Sequence, residues 1–150
     1  MLLLSYILFS STVHAKDYEK VWHWQPNTPP KIVICKDAKT KKNSIERSVN
    51  FWKEKGHSFG SVVSGGVKCN GAWSYNTVLI RGEGDLDTSV WNANTTPWHN
   101  PETGMLLSVV IQFDNNLANI DDLINHELGH ALGFGHSDDY NNVMYCERSY

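Results

Sequence analysis

The stretch "HELGHALGFGH", His126 to His136, places three histidines and one glutamate within eleven residues. On an α-helix His126 and His130, four apart, stand one turn above each other on the same side. Two neutral imidazoles on one rigid helix make half of a tetrahedral zinc site, with their separation set before metal arrives. Glu127 lies about 100° round the helix from His126, beside such a metal rather than aimed at it. That is the place for a general base. Gly133 lets the chain leave the helix through a left-handed turn, and Gly135 adds slack, so His136 can swing back as a third ligand. Three protein ligands with a fourth position left to water mark a catalytic zinc rather than a structural one. The implied chemistry is hydrolysis: zinc lowers the pKa of water from about 15.7 to about 7, and Glu127 takes the proton and passes it to a leaving amine. The plain alternative is a helix with histidines on its solvated face. It would need no glycine exit, and ordinary residue frequencies produce the full pattern in about one chain in ten thousand or fewer.

Such a site needs a helix and a scaffold. Asn119, with Asp121 and Asp122 in the first turn, reads as the N-cap of the histidine-bearing helix, whose Ile124, Leu128 and Leu132 form one apolar stripe. Upstream, "KIVIC" (Lys31 to Cys35) is β-branched and reads as a buried strand. A second helix follows, with Ile45, Val49 and Trp52 on one face, a capping box at Asn43 and Glu46, and Gly56 at its end. Phe59 to Gly65 and Asn76 to Gly82 are strand candidates bounded by glycines. Thr88 to Thr95 is more polar and reads as an edge strand, whereas Met105 to Asp114 is the most hydrophobic. With a turn at Asn100 to Gly104, these last two form a hairpin. The order strand, helix, several strands, helix predicts an α+β domain with a mixed twisted sheet of about five strands and two main helices.

The run "HELGHALGFGH" fits H-E-x-x-H-x-x-G-x-x-H, and "NNVMY" places Met144 shortly after it. In these features the chain resembles the metzincin zinc metallopeptidases. Ser137 after the third histidine, and Val-Met-Tyr in the turn, make it most similar to the matrixin branch. The resemblance implies a compact zincin-like domain with His126, His130 and His136 as zinc ligands and Glu127 as catalytic acid/base. It implies a Met-turn with Met144 as an apolar floor beneath the metal; alone, Met144 reads as core packing. It also implies a peptide substrate lying extended and antiparallel along an edge strand, for which Thr88 to Thr95 is the candidate. Some family features are not expected. The six residues after Met144 leave no room for the C-terminal helix of matrixins, and Lys16 to Pro30 is too short for a pro-domain. Ser108 to Asp114 lacks the histidine for a second zinc. Tyr145 directly follows Met144, so a tyrosine ligand is not expected.

The rest of the chain is consistent with one secreted enzyme domain. Of 150 residues 41% are hydrophobic and 19% charged, with a net charge of −3, which suggests neither nucleic acid nor an anionic membrane as partner. "MLLLSYILFSSTVHA" is too short to span a bilayer. It reads as a signal peptide (residues 1–15) with small residues at Val13 and Ala15, leaving residues 16–150 as a single zinc-peptidase domain. In an oxidising compartment two of Cys35, Cys69 and Cys146 would bridge, and all three pairings remain open. Asn94-Thr95-Thr96 is a glycosylation sequon in a eukaryotic secretory pathway. Glu83, Asp85 and Asp87 could hold calcium, although a solvated loop is the plainer reading. His23, His57 and His99 read as surface or packing residues, and Trp91 and Trp98 as candidates to line a substrate groove. The expectation is therefore a secreted zinc endopeptidase. The competing reading, a catalytically silent zinc module that engages a protein partner, has no use for Glu127.

Overall fold

The computed structural model describes residues 20–64, 69 and 74–146; the expected signal peptide lies outside them. The domain is α+β, as its pattern predicts. Strand β1 (Lys31–Ile34) leads into helix α1 (Lys42–Glu54), followed by β2 (Val62–Val63), β3 (Thr77–Arg81), β4 (Ala93–His99), β5 (Leu106–Phe113) and helix α2 (Asp121–Ala131). The five strands form one mixed sheet in the order β2-β1-β3-β5-β4. All neighbours are parallel except β4, which runs antiparallel to β5 at the edge.

Alternation decides which face is core. Ile32, Ile34, Val78, Ile80, Val109, Ile111 and Phe113 join Ile45 and Trp52 of α1 and Ile124 and Leu128 of α2 in one buried cluster. Both helices therefore cover the same face of the sheet. On the other face Val33, Cys35 and Leu79 form a smaller cluster. Of the three open pairings, the structure takes Cys35–Cys69, with Cα atoms 5.6 Å apart, and leaves Cys146 free and exposed. Among the described residues no helix is long and apolar enough to cross a membrane.

Several local expectations change. The edge strand is not Thr88 to Thr95. Asp87 accepts hydrogen bonds from the amide and hydroxyl of Ser89 and, through its carbonyl, from the amides of Val90 and Trp91. That aspartate-nucleated turn removes residues 88–91 from the strand. Pairing instead runs on through Pro97, which an edge tolerates because no ladder hydrogen bond is demanded on its outer side. The β4–β5 hairpin and its turn are as predicted. Both predicted caps also fail. Helix α1 starts at Lys42 with no side-chain cap, and Glu46 pairs with Lys42 at 3.5 Å. Helix α2 begins after Ile120, also uncapped by a side chain. Asn119 turns to the other helix: its Oδ1 accepts from the Lys41 amide (2.8 Å) and the Ser44 hydroxyl (3.3 Å), and its Nδ2 donates to the Lys39 carbonyl. A tertiary partner has displaced the local one. Within the described part of the strand predicted for Phe59 to Gly65, residues 59–64, only the two residues of β2 are strand.

Candidate metal centre

Helix α2 carries His126 and His130 on one face, and Gly133 (φ +96°) reverses the chain just beyond it. That reversal brings His136 back. The Nε2 atoms of His126 and His130 stand 3.1 Å apart, and those of His130 and His136 3.2 Å. Nitrogens bonded at about 2.0–2.1 Å to a tetrahedral zinc stand about 3.4 Å apart, so the spacing fits the ion.

The hydrogen bonds make a stronger test. His126 Nδ1 lies 2.8 Å from the Val143 carbonyl, and His130 Nδ1 lies 2.8 Å from the Phe134 carbonyl. A carbonyl only accepts, so each Nδ1 carries the proton and each Nε2 carries a lone pair. Two facing lone pairs at 3.1 Å call for a cation between them, and a backbone carbonyl behind each ligating imidazole is the usual means of fixing that tautomer. Burial pushes the His130 imidazolium down to about 4; the Phe134 carbonyl opposes this, and repulsion from His126 and His136 adds to it. At neutral pH His130 is therefore a neutral donor. Among the described residues these three histidines are the only group of three or more side chains placed to hold a metal.

Glu127 is 6% exposed and lines the same cavity as the three histidines, about 650 Å³ in volume. Burial pushes its carboxyl up to about 7, partly offset by a hydrogen bond from the Thr95 hydroxyl at 2.5 Å. A dication at the histidines draws it back toward the ionised form. Ala93, Asn94, Thr95 and Pro97 of β4 line the cavity, as do Val21, Trp22, Val90 and Trp91. Trp91 is 60% exposed, consistent with a groove residue. Trp98, expected to line such a groove, is not among the residues that line the cavity.

Met144 is buried beneath α2. A methyl group on Gly129 would overlap its Sδ and stand 2.7 Å from Trp52 Cζ2, so the helix packs on sulfur and indole through a bare Cα. The turn that carries Met144 is tied to the histidine cluster twice: the Val143 carbonyl holds His126, and the Ser137 amide donates to the Met144 carbonyl at 2.9 Å.

Sequence reasoning named the histidines, Glu127 and Met144 but missed three supports. Gly129 had a visible signal, since glycine inside a helix costs about 1 kcal/mol and asks for a packing reason. Thr95 had none. Val21 and Trp22 sit in what reads as a polar lead-in, yet both amides donate to the Gly133 carbonyl, at 2.8 and 3.1 Å. The acidic loop does not gather as a calcium site. Glu83 accepts from the Asn115 amide, and Asp87 is used in its own turn. His57 and His99 pack against aromatic rings, as expected of them.

No curated protein matches the chain in a sequence comparison. A family described as dual-action HEIGH metallo-peptidases matches over residues 37–149. The letters of that name are met here by His126-Glu127-Leu128-Gly129-His130, with leucine for isoleucine. The cluster of imidazole lone pairs is what such a name requires, and the match spans most of the chain: this protein belongs to the dual-action HEIGH metallo-peptidase family.

Proposed function

We propose that the chain is a secreted zinc endopeptidase of metzincin type, matrixin-like in its active-site turn. In this reading His126, His130 and His136 hold one zinc ion and Glu127 is the general base. The observation that carries it is the pair of facing Nε2 lone pairs, fixed by carbonyls behind them, beside a buried glutamate in an open cavity. Zinc bound there supplies Lewis acidity toward a carbonyl oxygen and toward water. Glu127 accepts the proton of the attacking water and returns it to the leaving amine. The outer edge of β4 offers backbone groups to an extended peptide, antiparallel and alongside the cavity. Val21, Val90 and Trp91, each more than half exposed and lining that cavity, favour substrates with bulky apolar side chains. The metzincin likeness is supported by Met144 lying under α2 and by the link from its turn to His126. Secretion is supported by the Cys35–Cys69 disulfide, which persists in oxidising compartments.

The test expresses residues 16–150, quantifies bound zinc and assays a mixed peptide library beside Glu127→Ala. One zinc per chain is expected, with cleavage that falls at least about 100-fold in the variant. Zinc with no cleavage in either protein would instead establish a silent binding module. Cleavage that survives removal of the metal would sink the reading altogether.

A further inference from the structure

Thr95 belongs to the edge strand, yet its hydroxyl lies 2.5 Å from Glu127 Oε2 on helix α2, 32 residues away in sequence. A carboxylate that has left water loses its hydration shell and needs a fixed donor in exchange. This donor is unusually well fixed. Thr95 is registered opposite Ile111 of β5, and its β-branched side chain has few rotamers open to it. The bond engages Oε2 and leaves Oε1 without that donor, and Glu127 and Thr95 both line the cavity. Burial confines the glutamate side chain, and this hydrogen bond fixes the orientation of its carboxylate within that space. The strand that would receive substrate thus also aims the base.

We propose that Thr95 is a positioning residue: it holds Glu127 in the rotamer that serves hydrolysis, acting from the substrate-binding strand. This rests on Glu127 being the general base, as read above. Thr95 itself touches no reacting atom.

The experiment compares zinc-loaded wild type, Thr95→Val, Thr95→Ser and Glu127→Ala by steady-state kinetics on one cleaved peptide. Crystal structures of the zinc-loaded wild type and Thr95→Val accompany it. Thr95→Val keeps the shape and removes the donor. Its kcat is expected to fall about 10- to 100-fold, with KM and zinc content unchanged. Its Glu127 carboxylate should occupy a different rotamer from the wild type, and Thr95→Ser should recover most of kcat. An unchanged kcat in Thr95→Val, an unmoved Glu127, or a serine variant as impaired as the valine would each overturn the assignment. Should the wild type cleave nothing, the peptidase reading fails separately. The two crystal structures then still decide whether Thr95 sets the carboxylate.

Discussion

Helices α1 and α2 lie on the same face of the sheet and differ in how much of their surface they hide. Helix α1 buries only Ser44, Ile45, Ser48 and Trp52 of its thirteen residues, one stripe against the core. Helix α2 buries eight of eleven, among them Asn125, His126 and Glu127. A helix buried by hydrophobicity alone would not carry those three. The sheet covers α2 on one side, the Met-turn reaches it at Gly129, and the segment around Trp22 and Trp24 closes its end, where Trp24 Nε1 donates to the Ala131 carbonyl at 2.7 Å. Elements that merely build the domain can keep a wet face. The element that carries the histidines and Glu127 is wrapped, as their proposed roles require, because imidazole and carboxylate serve as metal ligand and base only when other protein groups fix their orientation.

The contrast is sharpest at the two helix exits. Gly56 after α1 and Gly133 after α2 both adopt positive φ, +84° and +96°. Around Gly56 an added methyl meets nothing within 4 Å, whereas at Gly133 it collides with the Trp22 carbonyl. Gly133→Ala should cost about 3–4 kcal/mol and reduce zinc binding, because backbone strain is compounded by overlap with main chain. Gly56→Ala should cost about 1–2 kcal/mol from conformation alone. Chemical denaturation of both variants checks this, and equal losses would erase the distinction.

The next contrast is one of sign. Replacing a non-alanine residue by alanine on an exposed helix face usually stabilises. Asn50→Ala on the open side of α1 should gain about 0.5 kcal/mol. Gly129→Ala inside α2 should lose about 1–3 kcal/mol, because Met144 and Trp52 occupy the methyl's place. A gain at Gly129 would show that the Met-turn is not held against the helix.

The smallest effect concerns the clamp that joins the two helices. Arg47 donates to both carboxylate oxygens of Asp121, at 2.8 and 2.7 Å. That hydrogen-bonded pair, helped by its charge, holds the Asp121 carboxyl below its ordinary value. A depressed carboxylate stabilises the fold above the ordinary aspartate range and loses that contribution as pH falls through the lowered value. Both side chains are about half exposed, so the effect is small and screened by salt. Asp121→Asn should lower Tm slightly at neutral pH and leave it unaltered once the pH is below the lowered value.

What could be read from the chain alone divides along the same line. Strands β1, β3 and β5 announce themselves by β-branched runs, and α1 by its single stripe. The three clustered histidines are visible because their spacing is dictated by one helical turn and one glycine. Three features were illegible for a common reason: they are set by partners distant in sequence. Asn119 has the chemistry of a cap for α2 but spends it on α1, and nothing local reports that preference. Thr95 was read as the end of a strand, yet lies within one, because the turn at Asp87 displaced the register downstream. Val21 and Trp22 read as part of a polar lead-in until Gly133 is seen beneath them.

That last contact has an implication for engineering. Val21 and Trp22 line the cavity, and both hang from the carbonyl of Gly133, the hinge that swings His136 into place. A single peptide group therefore ties the contour of the cavity to the position of the third imidazole. Under the proposed function, reshaping selectivity from this flank is expected to alter zinc affinity as well, whereas redesign through Trp91, which lies outside that linkage, should leave the affinity unchanged.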